Sequence, residues 1–254
     1  MSVLVGLNGY GRIGRIFHRI VLAPGPGAGI AVGAINDPAA DASTLAFLLE
    51  HDSVYGGLGT PVEGSDGALD LALHQLIGNA SCTTNCLAPM AQVLDERFGI
   101  DHGYMTTVHA FTTDQNLLDL PRTSRSGKAD LRRMRAASLS IVPTSTGATQ
   151  AVGTVLPRLD GRLDGLALRV PVPDGSVVDL VATLHKEVDR DEVNGAFAEA
   201  GADPSYRRVI EHTEQPLVSA DIVGNAAFCV FSAADTMAGE KMGLPARMWV
   251  IAPV

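Results

Sequence analysis

The chain opens with MSVLVGLNGYGRIGR, Met1 to Arg15, and the reading of this stretch decides the fold. Ser2 to Leu7 is an apolar run of strand length. Gly9, Gly11 and Gly14 follow as G-Y-G-R-I-G, at the entrance to a helix that carries Ile13, Ile16, Phe17 and Ile20. Strand, glycine turn and helix in that order predict the first half of a βαβ unit. Glycines in such a turn either let the backbone approach a pyrophosphate or simply let the helix pack close to the strand, so the surrounding sequence must decide between the two. The connector APGPGAG, Ala23 to Gly29, ends the helix, and Ile30 to Ile35 supplies a second strand that finishes at Asn36 and Asp37. Asp37 stands roughly 20 positions beyond the glycines, the spacing at which an acidic side chain reaches the ribose of a dinucleotide.

Farther along, a helical pattern from Ser43 holds Leu45, Phe47, Leu48 and Leu49, and GALDLALHQLIG, Gly67 to Gly78, reads as extended. Ser81 is placed to cap a helix whose apolar positions Leu87, Met90, Val93, Leu94 and Phe98 follow a 3.6-residue period. The segments GYMTTVHAFTT, GLALRVPVP and VVDLVATLHKEV read as longer strands. A basic loop runs from Arg122 to Arg135, a helix begins near Asp191, and NAAFCVFSAAD with RMWVIAPV forms a final hairpin. The fold class expected is α/β: a reduced Rossmann-like parallel sheet over residues 1–80, then an α+β catalytic domain with a mostly antiparallel sheet and helices on one face over 81–254.

Composition narrows the function. A chain of 254 residues with 46% hydrophobic and 19% charged residues buries a sizeable core, and a net charge of -9 argues against general nucleic-acid binding. The N-terminal apolar run is too short for a signal segment, and no apolar stretch reaches membrane-spanning length, so a cytoplasmic protein without a membrane partner is expected. Three cysteines do not suit a disulfide framework, and no second ligand pair follows the C-x-x-x-C of Cys82 and Cys86, so no metal site is expected.

Cys82 is the thiol placed to react. It falls in the first turn of its helix, where unpaired amides and the helix dipole favour a thiolate. Cys86 and Cys229 read as buried structural thiols. A reactive thiol needs a base, and the candidate is His109, in TTVHAFTT, expected at the middle of a strand. RRMR, Arg132 to Arg135, would elsewhere be a solvated basic face; in an acidic chain, near the Cys82 and His109 segments, it reads as an anion site. Lys128, Arg132 and Arg135 receive no individual role.

GLNGYGRIGR, AINDP, HDSVYG, NASCTTNCLAP, TTVHAFTTDQ, RRMRAAS, VPTSTGATQAVG and RVPVPDGSVVDL occur in the order found in the glyceraldehyde-3-phosphate dehydrogenase family, which the chain resembles over most of its length. The resemblance implies that Cys82 adds to the aldehyde and that His109 activates it. Thr112, Asp114 and Arg169 match the site for the substrate phosphate, and Ser81, Thr83, Arg133, Thr146 and Gly147 match the groups around the attacking phosphate. Asn8, Gly9, Gly11, Arg12, Ile13, Gly14 and Asp37 match the cofactor site, with NAD as the implied cofactor and a homo-oligomer as the implied assembly. Hydroxyls, guanidinium groups and helix amides suit oxyanions because they supply dense, directional donors.

The resemblance breaks in two places. Family members carry further βα units between the strand near Leu71 and the cysteine helix, where this chain passes directly from LDLALH to QLIGNASC; at about 30 residues per unit, something like two are absent. They also continue past the equivalent of MWVIAPV into a segment that supports the nicotinamide and a long helix. Three readings therefore stand side by side. One is a compact NAD-dependent dehydrogenase that makes an acyl phosphate through a Cys82 thioester, with NAD held weakly. Another is a redox-silent acyltransferase, hydrolase or cyclase using the same thiol. The last is a noncatalytic binding scaffold.

Overall fold

The computed structural model describes residues 3–23, 25, 29–37, 40–62, 81–123, 127, 129–238 and 246–252. The extended reading of GALDLALHQLIG, Lys128 and much of the APGPGAG connector lie outside them. The chain divides into two compact units, Met1–Gly78 and Asn79–Val254.

In the first unit, β1 (Val3–Asn8) pairs in parallel with β2 (Ile30–Asn36), and α1 (Arg12–Leu22) makes the crossover. This is the βαβ geometry that the glycine spacing predicts. Then come α2 (Ala42–Glu50), capped by the Asp41 side chain on the Thr44 amide, and the short pair β3 (His51–Asp52) and β4 (Gly56–Gly57). Arg19 staples this end of the unit, donating to the carbonyls of Leu49, Glu50 and Gly56. Tyr10 and Leu49 are buried, but α1 contains no buried residue, and Val3 and Leu4 of β1 are more than 60% exposed. A parallel sheet is normally covered on both faces, and among the described residues β1 and β2 leave much of their apolar surface uncovered.

The second unit is built on α3 (Cys82–Phe98) and a seven-stranded sheet. Its strands are β5 (Ile100–Ala110), β6 (Val142–Ser145), β7 (Leu163–Val170), β8 (Ser176–Leu184), β9 (Ile210–Thr213), β10 (Cys229–Met237) and β11 (Ala246–Ala252), in the order β6-β7-β5-β8-β11-β10-β9. The pairs β5–β7 and β9–β10 are parallel and the other four are antiparallel. The helices α4 (Ala148–Val155) and α5 (Arg190–Ala202) join α3 in covering the sheet.

Alternation along the strands sets the core. Met105 of β5 and Val178, Leu180 and Ala182 of β8 share one face and are fully buried against Leu87, Met90 and Leu94 of α3. Each large side chain removed from water in this way contributes about 1.5–3 kcal/mol. Phe197 of α5 stacks on Phe231 of β10 with ring centroids 3.9 Å apart. This packing fixes α3 over the sheet, and with it the position of the helix N-terminus.

Candidate active site

Ser81 ends the preceding segment in extended backbone, and its Oγ accepts from the Thr84 amide at 3.1 Å and bonds Thr84 Oγ1 at 2.7 Å. That cap starts α3 at Cys82 and leaves the Cys82 side chain partly exposed. The sheet brings the second group. His109 lies one residue before the C-terminal end of β5 rather than at its middle, because the strand begins earlier than expected, at Ile100, and stops at Ala110. There the Phe111 amide turns to the Val172 carbonyl and the chain leaves the ladder. Met105, Thr107 and His109 alternate onto the helix-covered face, and His109 Nε2 comes to 3.0 Å from Cys82 Sγ.

His109 is 2% exposed. Burial, reinforced by the neighbouring Arg169 charge, lowers its pKa to about 4, so the ring is neutral at neutral pH and able to take a proton. Its other nitrogen, Nδ1, lies 2.8 Å from the Ala110 carbonyl. The parallel pairing of β5 with β7 sets Arg169 beside His109 in register, and Arg169 Nη1 reaches both His109 Nδ1 and, at 3.0 Å, the Ala110 carbonyl. Cys82, His109 and Arg169 thus form a continuous chain of contacts across α3, β5 and β7.

A second network adjoins it. Thr112 Oγ1 donates to Asp114, whose other carboxylate oxygen accepts from Arg133 Nη1 at 3.1 Å. Arg133 Nε donates to Thr144 Oγ1 at 2.9 Å, and Asp130 completes its ion pairs at 3.6 Å. Asp114 also acts on the charge states of Arg169 and His109, which ties the two networks together electrostatically. Thr146 Oγ1 accepts from the Ala148 amide at 3.2 Å at the start of α4, whose N-cap, Gly147, has no side chain in the way. Thr83, read from sequence as a phosphate ligand, is 4% exposed within α3. Arg132 is exposed, and Arg135 pairs with Asp119 at 2.9 Å. Thr144 and Asp130 were not singled out from sequence. Thr144 sits two residues from Thr146 in VPTSTG, so its motif was visible but its role as the Arg133 partner depends on tertiary contact.

Cys86 and Cys229 are both fully buried. A hydrogen bond with the neighbouring Cys229 and burial push the Cys86 thiol well above the ordinary thiol range, in keeping with a structural role.

In the first unit, the residues present fit the pyrophosphate end of a dinucleotide. Gly9 adopts φ +100°, a conformation that favours glycine. A Cβ on Gly14 would land on the Gly9 carbonyl, so that position admits no larger residue without a shift, whereas a Cβ on Gly11 would meet nothing within 4 Å. Open space therefore faces the start of α1, whose N-cap, Gly11, supplies no side-chain cap for the first amides. Asp37 Oδ2 accepts from the Tyr10 amide at 2.6 Å, holding the end of β2 against the turn. Asn36 Nδ2 donates to Asn8 Oδ1 at 2.8 Å, and Ile13 is 51% exposed. The Arg12 side chain turns toward Asp52, at 3.2 Å, and over the Tyr55 ring, so its backbone rather than its guanidinium belongs to the turn.

Residues 3–79 match the family model for the glyceraldehyde 3-phosphate dehydrogenase NAD binding domain, and residues 81–250 match the model for the C-terminal domain of the same family. An NAD-binding segment followed by a unit with a helix-terminal thiol beside a buried imidazole defines an oxidoreductase of the thiol-dependent aldehyde class. Among its relatives, the glyceraldehyde-3-phosphate dehydrogenase of Streptomyces coelicolor is 38% identical over 323 aligned positions, covering 98% of this chain and 94% of the relative. That of Geobacillus stearothermophilus is 39% identical, covering 93% and 90%, and that of Borreliella burgdorferi is 38% identical, covering 93% and 91%. The chain belongs to the glyceraldehyde-3-phosphate dehydrogenase family. An alignment of 323 positions against 254 residues leaves at least 69 positions (323 less 254) without a residue of this chain, and because the alignment spans nearly the whole of both proteins, the shortfall is internal. It accords with the two missing βα units and with the bare apolar surface of β1 and α1.

Proposed function

We propose that the chain is a phosphorylating dehydrogenase of glyceraldehyde 3-phosphate, acting through a Cys82 thioester with NAD as its cofactor. The observation that carries this reading is the 3.0 Å approach of Cys82 Sγ to His109 Nε2 at the N-terminus of α3, in a chain of this family. His109 takes the thiol proton at Nε2 as Cys82 Sγ bonds to the aldehyde carbon and passes it to the carbonyl oxygen, giving a hemithioacetal and restoring the neutral ring. His109 then receives the proton of the hemithioacetal hydroxyl as hydride leaves the same carbon and a thioester forms. NAD, when bound, supplies the acceptor for that hydride. Inorganic phosphate attacks the thioester carbon, the C–S bond breaks, and Cys82 leaves with the acyl phosphate as product.

The roles of the other side chains follow from their chemistry. Arg169, with Thr112 and Asp114, belongs to the pocket for the substrate phosphate. The family resemblance assigns Arg133, Ser81, Thr83, Thr146 and the backbone at Gly147 to the pocket for the attacking phosphate, and hydroxyl and guanidinium donors suit that role. Gly9, Gly11, Gly14 and the first-turn amides of α1 would hold the pyrophosphate, with Asn8, Arg12 and Ile13 around the turn and Asp37 directed to a ribose. This reading also assigns residues 1–80 to cofactor binding and 81–254 to catalysis, a cytoplasmic setting and a homo-oligomeric assembly. Among the described residues no helix is long and apolar enough to cross a membrane. Family membership favours the dehydrogenase over the redox-silent enzyme and the scaffold. The test is NADH formation from glyceraldehyde 3-phosphate, NAD and phosphate, with loss of activity in Cys82→Ser; absence of NADH from the folded wild-type protein would refute it.

A further inference from the structure

We propose that Tyr10 and His18 are positioning residues for the cofactor: the Tyr10 hydroxyl, bonded to His18, fixes the glycine turn and Asp37 in the arrangement that receives an ADP-ribosyl group, and this makes the binding sensitive to acid. This deepens the proposed function and rests on its assignment of the turn and Asp37 to NAD.

Tyr10 stands between Gly9, at φ +100°, and Gly11, the N-cap of α1, so its side chain is the one by which the turn can be anchored. A turn flanked by two glycines has the most conformational freedom to lose, and an anchor matters most there. Tyr10 is 1% exposed and ties the turn to both neighbouring elements. Its amide donates to Asp37 Oδ2 at 2.6 Å, just past the end of β2, and its carbonyl accepts from Arg15 Nη1 at 3.0 Å. Its hydroxyl lies 2.5 Å from Nδ1 of half-buried His18, eight residues on within α1, and the two rings meet edge to face with centroids 5.8 Å apart. Turning the Tyr10 peptide would therefore carry Asp37 with it.

Burial decides the direction of the hydroxyl bond. It pushes the Tyr10 hydroxyl up to about 12, so the group keeps its hydrogen, and a buried O–H left without an acceptor is costly. His18 Nδ1 is the acceptor within reach, which places the proton of the neutral imidazole on Nε2. Acid reverses this. A proton on Nδ1 makes that nitrogen a donor, and the Tyr10 hydroxyl must turn its own hydrogen away from the ring. Burial lowers the His18 pKa below the ordinary histidine value, so the bonded state is complete above that value and is lost as pH falls through the lowered one. The charged groups on α1 and on the elements packed against it are engaged elsewhere: Arg15 and Arg19 donate to backbone carbonyls, Arg12 pairs with Asp52, Asp37 holds the Tyr10 amide, Glu50 accepts from the Val62 amide, and the His51 ring stacks on Phe47.

The probe is ADP-ribose, which carries the pyrophosphate and both riboses without the nicotinamide. Its affinity is measured calorimetrically at about pH 8 and about pH 5, and the His18 ring titration is followed by NMR on the full chain with and without it. In the wild type, affinity should fall on the order of 3- to 10-fold from the higher pH to the lower, the scale of one hydrogen bond. Saturating ADP-ribose should lower the His18 pKa further, since a ligand that favours the bonded state must disfavour the protonated ring. Tyr10→Phe keeps the buried ring and should bind ADP-ribose on the order of 3- to 10-fold more weakly at about pH 8, with the acid dependence gone. His18→Gln keeps a side-chain acceptor that does not titrate, so it should bind more tightly than Tyr10→Phe and also lose the acid dependence. A His18 titration that ADP-ribose leaves unmoved, or an acid dependence that survives in His18→Gln, overturns the coupling. If the wild type binds ADP-ribose but Tyr10→Phe binds it equally well with the same pH dependence, the positioning role alone has failed; if the folded wild type binds no ADP-ribose, the assignment of the turn to the cofactor has failed, and the positioning role with it.

Discussion

Cys82 Sγ and His109 Nε2 stand 3.0 Å apart although 27 residues separate them in sequence. The pairing exists because two unrelated local rules converge: a serine cap starts α3 at Cys82, and the two-residue period of β5 turns His109 toward that helix end. Neither residue is special in isolation. Together they place a nucleophile against a neutral, buried base.

Cys82 is expected to react alone among the three cysteines. Cys86 and Cys229 are fully buried, while Cys82 is partly exposed. Iodoacetamide at neutral pH, followed by peptide mass analysis, should label Cys82 well ahead of the other two, and His109→Asn should slow that labelling. Equal rates at all three thiols would contradict the site.

Acid should destabilise the second unit through His109. Its pKa falls from 6.5 to about 4 on folding, so between those values the unfolded chain binds more protons than the folded one. The contribution is complete above pH 6.5, declines as pH falls toward about 4, and amounts to on the order of 3 kcal/mol, at about 1.4 kcal/mol per pKa unit. Urea unfolding at several pH values should show this decline in wild type and a shallower one in His109→Gln. Identical pH slopes would remove His109 from the acid response.

Leu94→Ala should be costly at a distance from the chemistry. Leu94 is fully buried where α3 lies on the sheet, and truncation there is expected to cost about 2–5 kcal/mol by leaving a cavity. Chemical denaturation measures it. A loss under about 1 kcal/mol would mean that α3 is not anchored by this face.

Gly14→Ala should weaken NAD binding, because the added methyl would land on the Gly9 carbonyl and displace the turn. Since the missing βα units belong to the cofactor half in the sequence reading, contacts on the adenosine side should dominate. Calorimetric titration should find ADP-ribose binding nearly as tightly as NAD. A large advantage for NAD would show that the nicotinamide end is well held.

Much of this was legible in the sequence, for physical reasons that differ from element to element. The βαβ start of the first unit is spelled by glycines whose backbone positions other residues cannot share, and α3 by a serine cap and an apolar period. His109 was placed at mid-strand because Asp101 and His102 disguise the first residues of β5, whose extent is fixed by pairing with β8. The strands β9 and β6 were not anticipated: Ile-Glu-His-Thr and Val-Pro-Thr-Ser carry little strand character, and long-range pairing with β10 and β7 makes them strands. The contact of Arg169 with His109 was equally hidden, because it depends on the parallel register of β5 and β7.

The most direct measurement of the central claim is single-turnover NADH formation from glyceraldehyde 3-phosphate and NAD without added phosphate, with the acyl adduct located by mass spectrometry. The account predicts up to one equivalent of NADH per chain, an acyl group on Cys82, and release of that group when phosphate is added. His109→Asn should slow the NADH step by roughly 100-fold or more, within the usual range for loss of a general base. NADH formed at an undiminished rate in Cys82→Ser, or an acyl group found on a residue other than Cys82, would contradict it.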